Sequence, residues 1–197
     1  MTTDQVFELL LPPDWVRIAA DERGDAAMDS LLERAVGNAP AGRESEVRSV
    51  LGASIASAVD TARGQGATDI ILSLARVDGV PVPASIVVTR RPAEGGDALT
   101  ETERIFAIAA RENGTVVEVG GRAAVRRVRS YDADGETPAR RAISYLCRLP
   151  DRPEWIMFTA TVLWGSDPAL EEPLAALEFL IDAVMTTVRF VPRETAA

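Results

Sequence analysis

Four β-rich runs follow one another with no helical stretch between them: Thr115 to Val119, Ala123 to Tyr131, Arg140 to Leu149 and Glu154 to Trp164. Their separators, Gly120-Gly121, the Asp132 to Pro138 stretch and Pro150 to Pro153, consist of residues that supply turns. Glycine accepts positive φ, proline pre-sets φ, and aspartate hydrogen-bonds its own backbone. This half of the chain therefore predicts an antiparallel meander. In its third strand Ile143, Tyr145, Cys147 and Leu149 share a face, as do Ile156, Phe158, Ala160, Val162 and Trp164 in the fourth. Trp155, Met157 and Leu163 take the opposite parity, so a second face must be covered by helices or left open.

The remaining elements fit around such a sheet. Val6 to Ile18 reads as a short strand, a Pro12-Pro13 turn and a second strand from near Trp15. Met28, Leu31, Leu32, Ala35 and Val36 recur at helical spacing, and Gly37 to Gly42 separates them from a longer helix. Val47, Val50, Leu51, Ile55, Ala58, Val59 and Ala62 form that helix's apolar stripe, with Gly64 and Gly66 as its stop. Thr68 to Val77 and Val82 to Arg90 predict a hairpin through Asp78-Gly79. Pro81 and Pro83 lose backbone donors on one side, which predicts that the second strand starts at a sheet edge. Apolar residues at both parities there predict cover on both faces.

Thr100 and Glu103 have capping-box spacing ahead of a third helix that Asn113-Gly114 ends. Asp167-Pro168 opens a closing helix of about 20 residues whose stripe is Leu170, Leu174, Leu177, Ile181, Val184 and Val188. Arg189 to Pro192 predicts a short last strand, and Pro92 to Ala98 a mobile loop. Together these elements predict a single α+β domain over residues 1–197: a mostly antiparallel sheet of six to eight strands packed with three to four helices, including the long C-terminal amphipathic one.

Length and composition suit that reading, since 197 residues with 47% apolar content make one domain that buries roughly 70% of its unfolded surface. The longest apolar stretches, such as Ile156 to Trp164, fall short of the ~20 residues that cross a bilayer, so no membrane insertion is expected. Asp4 and Glu8 near the amino terminus do not resemble a basic, apolar leader, and the lone Cys147 has no internal disulfide partner. The expected location is cytoplasmic.

All 21 basic residues are arginine, and the chain has neither lysine nor histidine. That excludes a Ser-His-Asp or Cys-His arrangement, an imidazole metal ligand, a Schiff base and a Walker lysine. Acid and base chemistry would fall to carboxylates, tyrosines or Cys147. The last sits in the apolar register of a strand, where burial makes a core residue rather than a nucleophile. Asp132-Ala133-Asp134-Gly135-Glu136 departs from a calcium loop at Glu136 and lacks flanking helices, so it reads as a hairpin turn. Glycines 64 and 66, 95 and 96, and 120 and 121 lack a nucleotide-loop context. The pairs Glu101 with Glu103 and Glu171 with Glu172 lie in first helical turns, where their charge meets the helix dipole. No catalytic residue, metal site or cofactor is expected.

The net charge of −9 opposes nonspecific nucleic-acid binding. Arg122 to Arg152 is the exception, with eight arginines against four acids and hence +4, set against −13 for the rest. Arg127 and Arg129 share one strand face, Arg126 lies on the other, and Arg140 and Arg141 approach them across the hairpin. Such a surface binds an anion or an acidic partner, or else is a solvated face balanced by nearby carboxylates. Trp155 is the candidate apolar anchor, against the alternative that the core simply needs bulk.

The opening Phe7-Glu8-Leu9-Leu10-Leu11-Pro12-Pro13-Asp14-Trp15, the meander, the run Glu154-Trp155-Ile156-Met157-Phe158-Thr159-Ala160 and the closing helix are together similar to Mog1/PsbP-like domains. The resemblance is architectural. It covers both ends better than the helical section from 26 to 66 and transfers no catalytic motif. It implies a non-enzymatic binding domain, as in protein-assembly factors, small-GTPase partners and chaperones of secreted effectors.

The function expected from these readings is a non-enzymatic, cytoplasmic protein-binding module, an adaptor or chaperone-like factor, with Trp155, Arg126, Arg127, Arg129, Arg140 and Arg141 at its partner surface. The alternative is a small-molecule or anion-binding protein; a carboxylate-based enzyme ranks last. An unidentified protein partner is favoured over nucleic acid, and a homo-oligomer is compatible with the sequence.

Overall fold

The computed structural model describes residues 6–37, 42–77, 80–82, 84–93, 100–134, 138–163 and 171–191. In chain order come strands β1 (Phe7–Glu8) and β2 (Trp15–Ala19), a 3-10 turn at Glu22–Gly24, and helices α1 (Asp25–Gly37) and α2 (Glu44–Gly64). Strands β3 (Ala67–Ser73), β4 (Arg76–Val77), β5 (Val80–Pro81) and β6 (Ala84–Pro92) lead to helix α3 (Glu101–Glu112). Strands β7 (Thr115–Val119), β8 (Arg122–Tyr131), β9 (Arg140–Arg148) and β10 (Glu154–Leu163) precede helix α4 (Glu171–Thr186) and strand β11 (Arg189–Phe190).

Seven strands form one sheet in the order β2-β3-β6-β10-β9-β8-β7. Every neighbouring pair in it is antiparallel. The run β7 to β10 is the meander that its short turns dictate, and β3 pairs with β6 as the predicted hairpin. The edge predicted from the prolines is not there: β6 lies between β3 and β10. Pro81 falls instead in the small β4–β5 ladder, before β6 begins at Ala84, so its missing donor lies outside the main sheet.

Alternation along the strands divides the apolar residues between two faces. On one, Ile86, Val88, Ile143, Tyr145, Cys147, Ile156 and Phe158 are buried beneath α4, whose Leu174, Ile181, Val184 and Met185 share the same cluster, as does Val188 just beyond the helix. The β1–β11 pair brings the two ends of the described chain together, and the Phe7 ring meets Phe158 edge-on at 5.1 Å. The second face carries two separate clusters. Val59 and Ala62 of α2 pack with Ile70, while Ile105 and Ala109 of α3 pack with Val125. The sheet is thus covered on both sides, as its two-parity pattern requires.

Helix α3 starts where its polar residues place it. Thr100 Oγ1 accepts from the Glu103 amide at 3.3 Å, and the Thr100 amide donates to Glu103 Oε2 at 2.8 Å. Asn113 closes the helix in the left-handed region at φ 53°, where its side chain offers local hydrogen bonding that most residues lack. The expectations for Asp78-Gly79, Trp164 and Asp167-Pro168, and most of the Pro92 to Ala98 loop, lie outside the described residues. Among the described residues no helix is long and apolar enough to cross a membrane.

Candidate functional site

The arginines of β8 and β9 are sorted by strand parity onto opposite faces of the sheet. Toward α4, Arg126 Nε and Nη2 lie 2.7 and 3.0 Å from the two carboxylate oxygens of Asp182. The Tyr145 hydroxyl donates to the same carboxylate, and Arg141 pairs with Glu178 one turn earlier on α4. The hydrogen bond that Arg126 donates to Asp182 raises the Arg126 pKa further, while burial, then the separate bond that Tyr145 donates to Asp182, pushes the Tyr145 phenol up. Toward α3, Arg127 hydrogen-bonds Glu112, and Arg129 Nη2 lies 3.6 Å from it. Arg111 adds a third guanidinium to that carboxylate at 3.3 Å. One negative charge among three positive ones leaves this corner of an acidic protein basic. Arg140 stacks on Tyr131, its guanidinium carbon 4.6 Å from the ring centre.

Strand lengths create a second feature at the same place. β7 pairs with β8 only as far as Arg126, whereas β8 pairs with β9 on to Tyr131. No described strand pairs with the outer side of residues 127 to 131. This open edge carries Val128 and Tyr131, each 38% exposed, beside the half-exposed Arg129.

Trp155 is not part of that corner. It sits at the opposite end of β10 from Leu163, which pairs with Arg140, and so lies about 26 Å away along the strand. There it walls a cavity of about 490 Å³ between α3 and the second face of the sheet. Met157, Leu146 and Ile108 complete the apolar wall, and Arg91, Arg104 and Arg111 supply charge. Thr89 also lines it, at 6% exposure, and its Oγ1 has no hydrogen-bond partner. Sequence reading missed this site. One signal was present, because Arg104, Ile108 and Arg111 lie four and three residues apart, on one helical face. Bringing Thr89 and Arg91 to it required the β6–β10 register.

The other candidates resolve into structural parts. Cys147 is fully buried, and burial pushes its thiol up to about 12, far from a nucleophile's range. Glu101 accepts both bonds of an ion pair from Arg122, at 2.6 and 2.7 Å, and Glu103 serves the α3 cap. Among the described residues no group of three cysteines or carboxylates is placed to hold a metal.

These elements define an α+β domain: one antiparallel sheet with α4 on one face and α1 to α3 on the other. No family model and no curated protein matches the sequence. Among solved structures the fold is similar to LpqN, described as involved in cell envelope biogenesis of Mycobacterium tuberculosis. That match has a TM-score of 0.50 at 11% identity and covers 94% of this chain and 83% of LpqN. A mutant of the protein Mog1 matches with a TM-score of 0.39 at 15% identity, over 62% of this chain and 79% of Mog1. A Pseudomonas aeruginosa protein of unknown function matches at 0.33 and 21% identity, over 65% and 93% of the two chains. The resemblance to Mog1/PsbP-like domains is one of architecture, and at these identities no activity passes with it.

Proposed function

We propose that this chain is a non-enzymatic protein-binding module of the cytoplasm, an adaptor or chaperone-like assembly factor, whose acidic partner docks on the outer edge of β8. The observation that carries the reading is the overhang of β8 beyond β7. Unpaired backbone groups on a strand edge accept an added strand, and alternate side chains there set its specificity. Val128 and Tyr131 offer apolar contact, while Arg127, Arg129 and Arg140 supply the charge that selects an acidic segment. Arg126 and Arg141, paired to α4, hold the two strands in place. Trp155 stands apart from this contact.

The test is affinity purification of the tagged full-length protein from its native cells, with quantitative mass spectrometry and light scattering. A stoichiometric partner that is lost with Arg129→Glu plus Arg140→Glu, yet kept with Arg48→Glu on α2, supports the reading. Recovery of the chain alone at every salt concentration, or as a dimer of itself, sinks it.

A further inference from the structure

The cavity beside α3 has a chemistry that the β8 edge does not explain. Among the described residues its lining includes three guanidinium groups and no carboxylate. Arg111 has Glu112 as a neighbour outside the lining, and Arg91 makes no ion pair among the described residues. Between these charges lie an indole, a thioether and two aliphatic side chains, from Trp155, Met157, Leu146 and Ile108. Positive charge at one part of a concave apolar surface is the arrangement that receives an anion with an apolar body. Its volume of about 490 Å³ suits a small molecule.

Thr89 is the independent sign of a ligand. A threonine hydroxyl in an interior strand is ordinarily satisfied, since leaving it unpaired costs free energy relative to water. Here the side chain is buried and its oxygen unpartnered, in a residue that lines the cavity. Valine has nearly the same shape and no such cost, so packing alone does not call for threonine.

We infer that the cavity binds a small organic anion, its carboxylate or phosphate held by Arg91, Arg104 and Arg111 and hydrogen-bonded by Thr89, with its apolar body against Trp155 and Met157. Apart from Arg111, whose guanidinium both pairs with Glu112 and lines the cavity, the β8 partner site and this one are built from different residues, so either can fail alone.

1-Naphthoate, titrated into the full-length protein and followed by tryptophan fluorescence and calorimetry, is the probe. Saturable 1:1 binding is expected, weakening as salt rises. The neutral analogue 1-naphthalenemethanol, and the variants Arg104→Gln and Arg111→Gln, should each bind about tenfold more weakly or worse. Thr89→Val separates ligand binding from folding: the melting temperature should hold or rise while naphthoate affinity falls about tenfold. Arg140→Glu, at the β8 edge and stacked on Tyr131, should leave naphthoate binding unchanged. Equal binding of the neutral analogue, or Thr89→Val with undiminished affinity, would overturn the inference. So would tighter binding of an acetylated heptapeptide carrying glutamate beside tryptophan, which would assign the cavity to a protein partner.

Discussion

Arg126 on β8 and Asp182 on α4 meet fork to carboxylate, two parallel bonds of 2.7 and 3.0 Å that tie the meander to the closing helix. The Tyr145 hydroxyl completes the group. Removing the carboxylate leaves a largely covered guanidinium whose one remaining carboxylate neighbour among the described residues is Glu178, 4.0 Å away and already paired to Arg141. Asp182 is 40% exposed, so solvent screens part of the attraction. Asp182→Asn is expected to cost about 1–2 kcal/mol in urea denaturation. Tyr145→Phe should cost about 1 kcal/mol or less, and less again in the Asp182→Asn background. Additive losses would show that the three groups do not act together.

The fold should hold at neutral pH and weaken as the solution becomes alkaline. Tyr145 is raised by burial and by its bond to Asp182, and Cys147 is raised by burial to about 12. The unfolded chain releases these protons from about pH 8.5 to 10, while the native state keeps them. Their contribution is therefore intact below that window and is lost progressively from there up to the raised native values. The slope reaches up to about 1.4 kcal/mol per pH unit for each group. Cys147→Ala should cost about 1–2 kcal/mol at pH 7 and flatten the loss between pH 9 and 11. Denaturation midpoints at three pH values measure both, and an unchanged slope in the variant would remove Cys147 from the account.

Local chemistry made much of the fold legible. The turns of the meander, the Thr100–Glu103 box and the α4 stripe each depend on residues close in sequence, so their spacing suffices. Strand order depends on distant partners, and there the prolines misled: Pro81 belongs to a two-residue ladder that alternation cannot distinguish from the start of β6. The arginine surface was half legible. Parity correctly separates Arg126 from Arg127 and Arg129, but their carboxylates, Asp182 and Glu112, lie on helices whose docking no strand pattern reveals. Trp155 had a face but no neighbours. Its cavity comes from α3 crossing two strands that are adjacent in space and far apart in sequence.

The α3 cap offers a cleaner measure of local energy. Thr100→Ala removes the acceptor for the Glu103 amide while changing no buried contact. A loss of about 1 kcal/mol is expected, with Thr100→Asp largely restoring it. Hydrogen exchange should report the loss first in the opening turn of α3. Uniform change across the whole domain would mean that the helix does not open separately.

The β7–β8 turn separates backbone strain from steric contact at adjacent residues. Gly120 and Gly121 both have positive φ, 60° and 74°, as a tight hairpin turn demands. A Cβ on Gly120 would lie 2.7 Å from the Phe190 ring of β11, whereas one on Gly121 meets nothing within 4 Å. Asparagine tolerates the left-handed region, so Gly121→Asn should cost under about 1 kcal/mol. At Gly120 the same residue must displace Phe190, which pairs with Phe7 and so helps seat β1 beside Phe158. Gly120→Asn is expected to cost about 2–3 kcal/mol and to expose the β1–β11 pair to exchange. Phe190→Leu in the same chain should recover part of that loss by giving the new side chain room. If Gly120→Asn and Gly121→Asn cost the same, backbone conformation alone governs the turn, and β11 does not press on it.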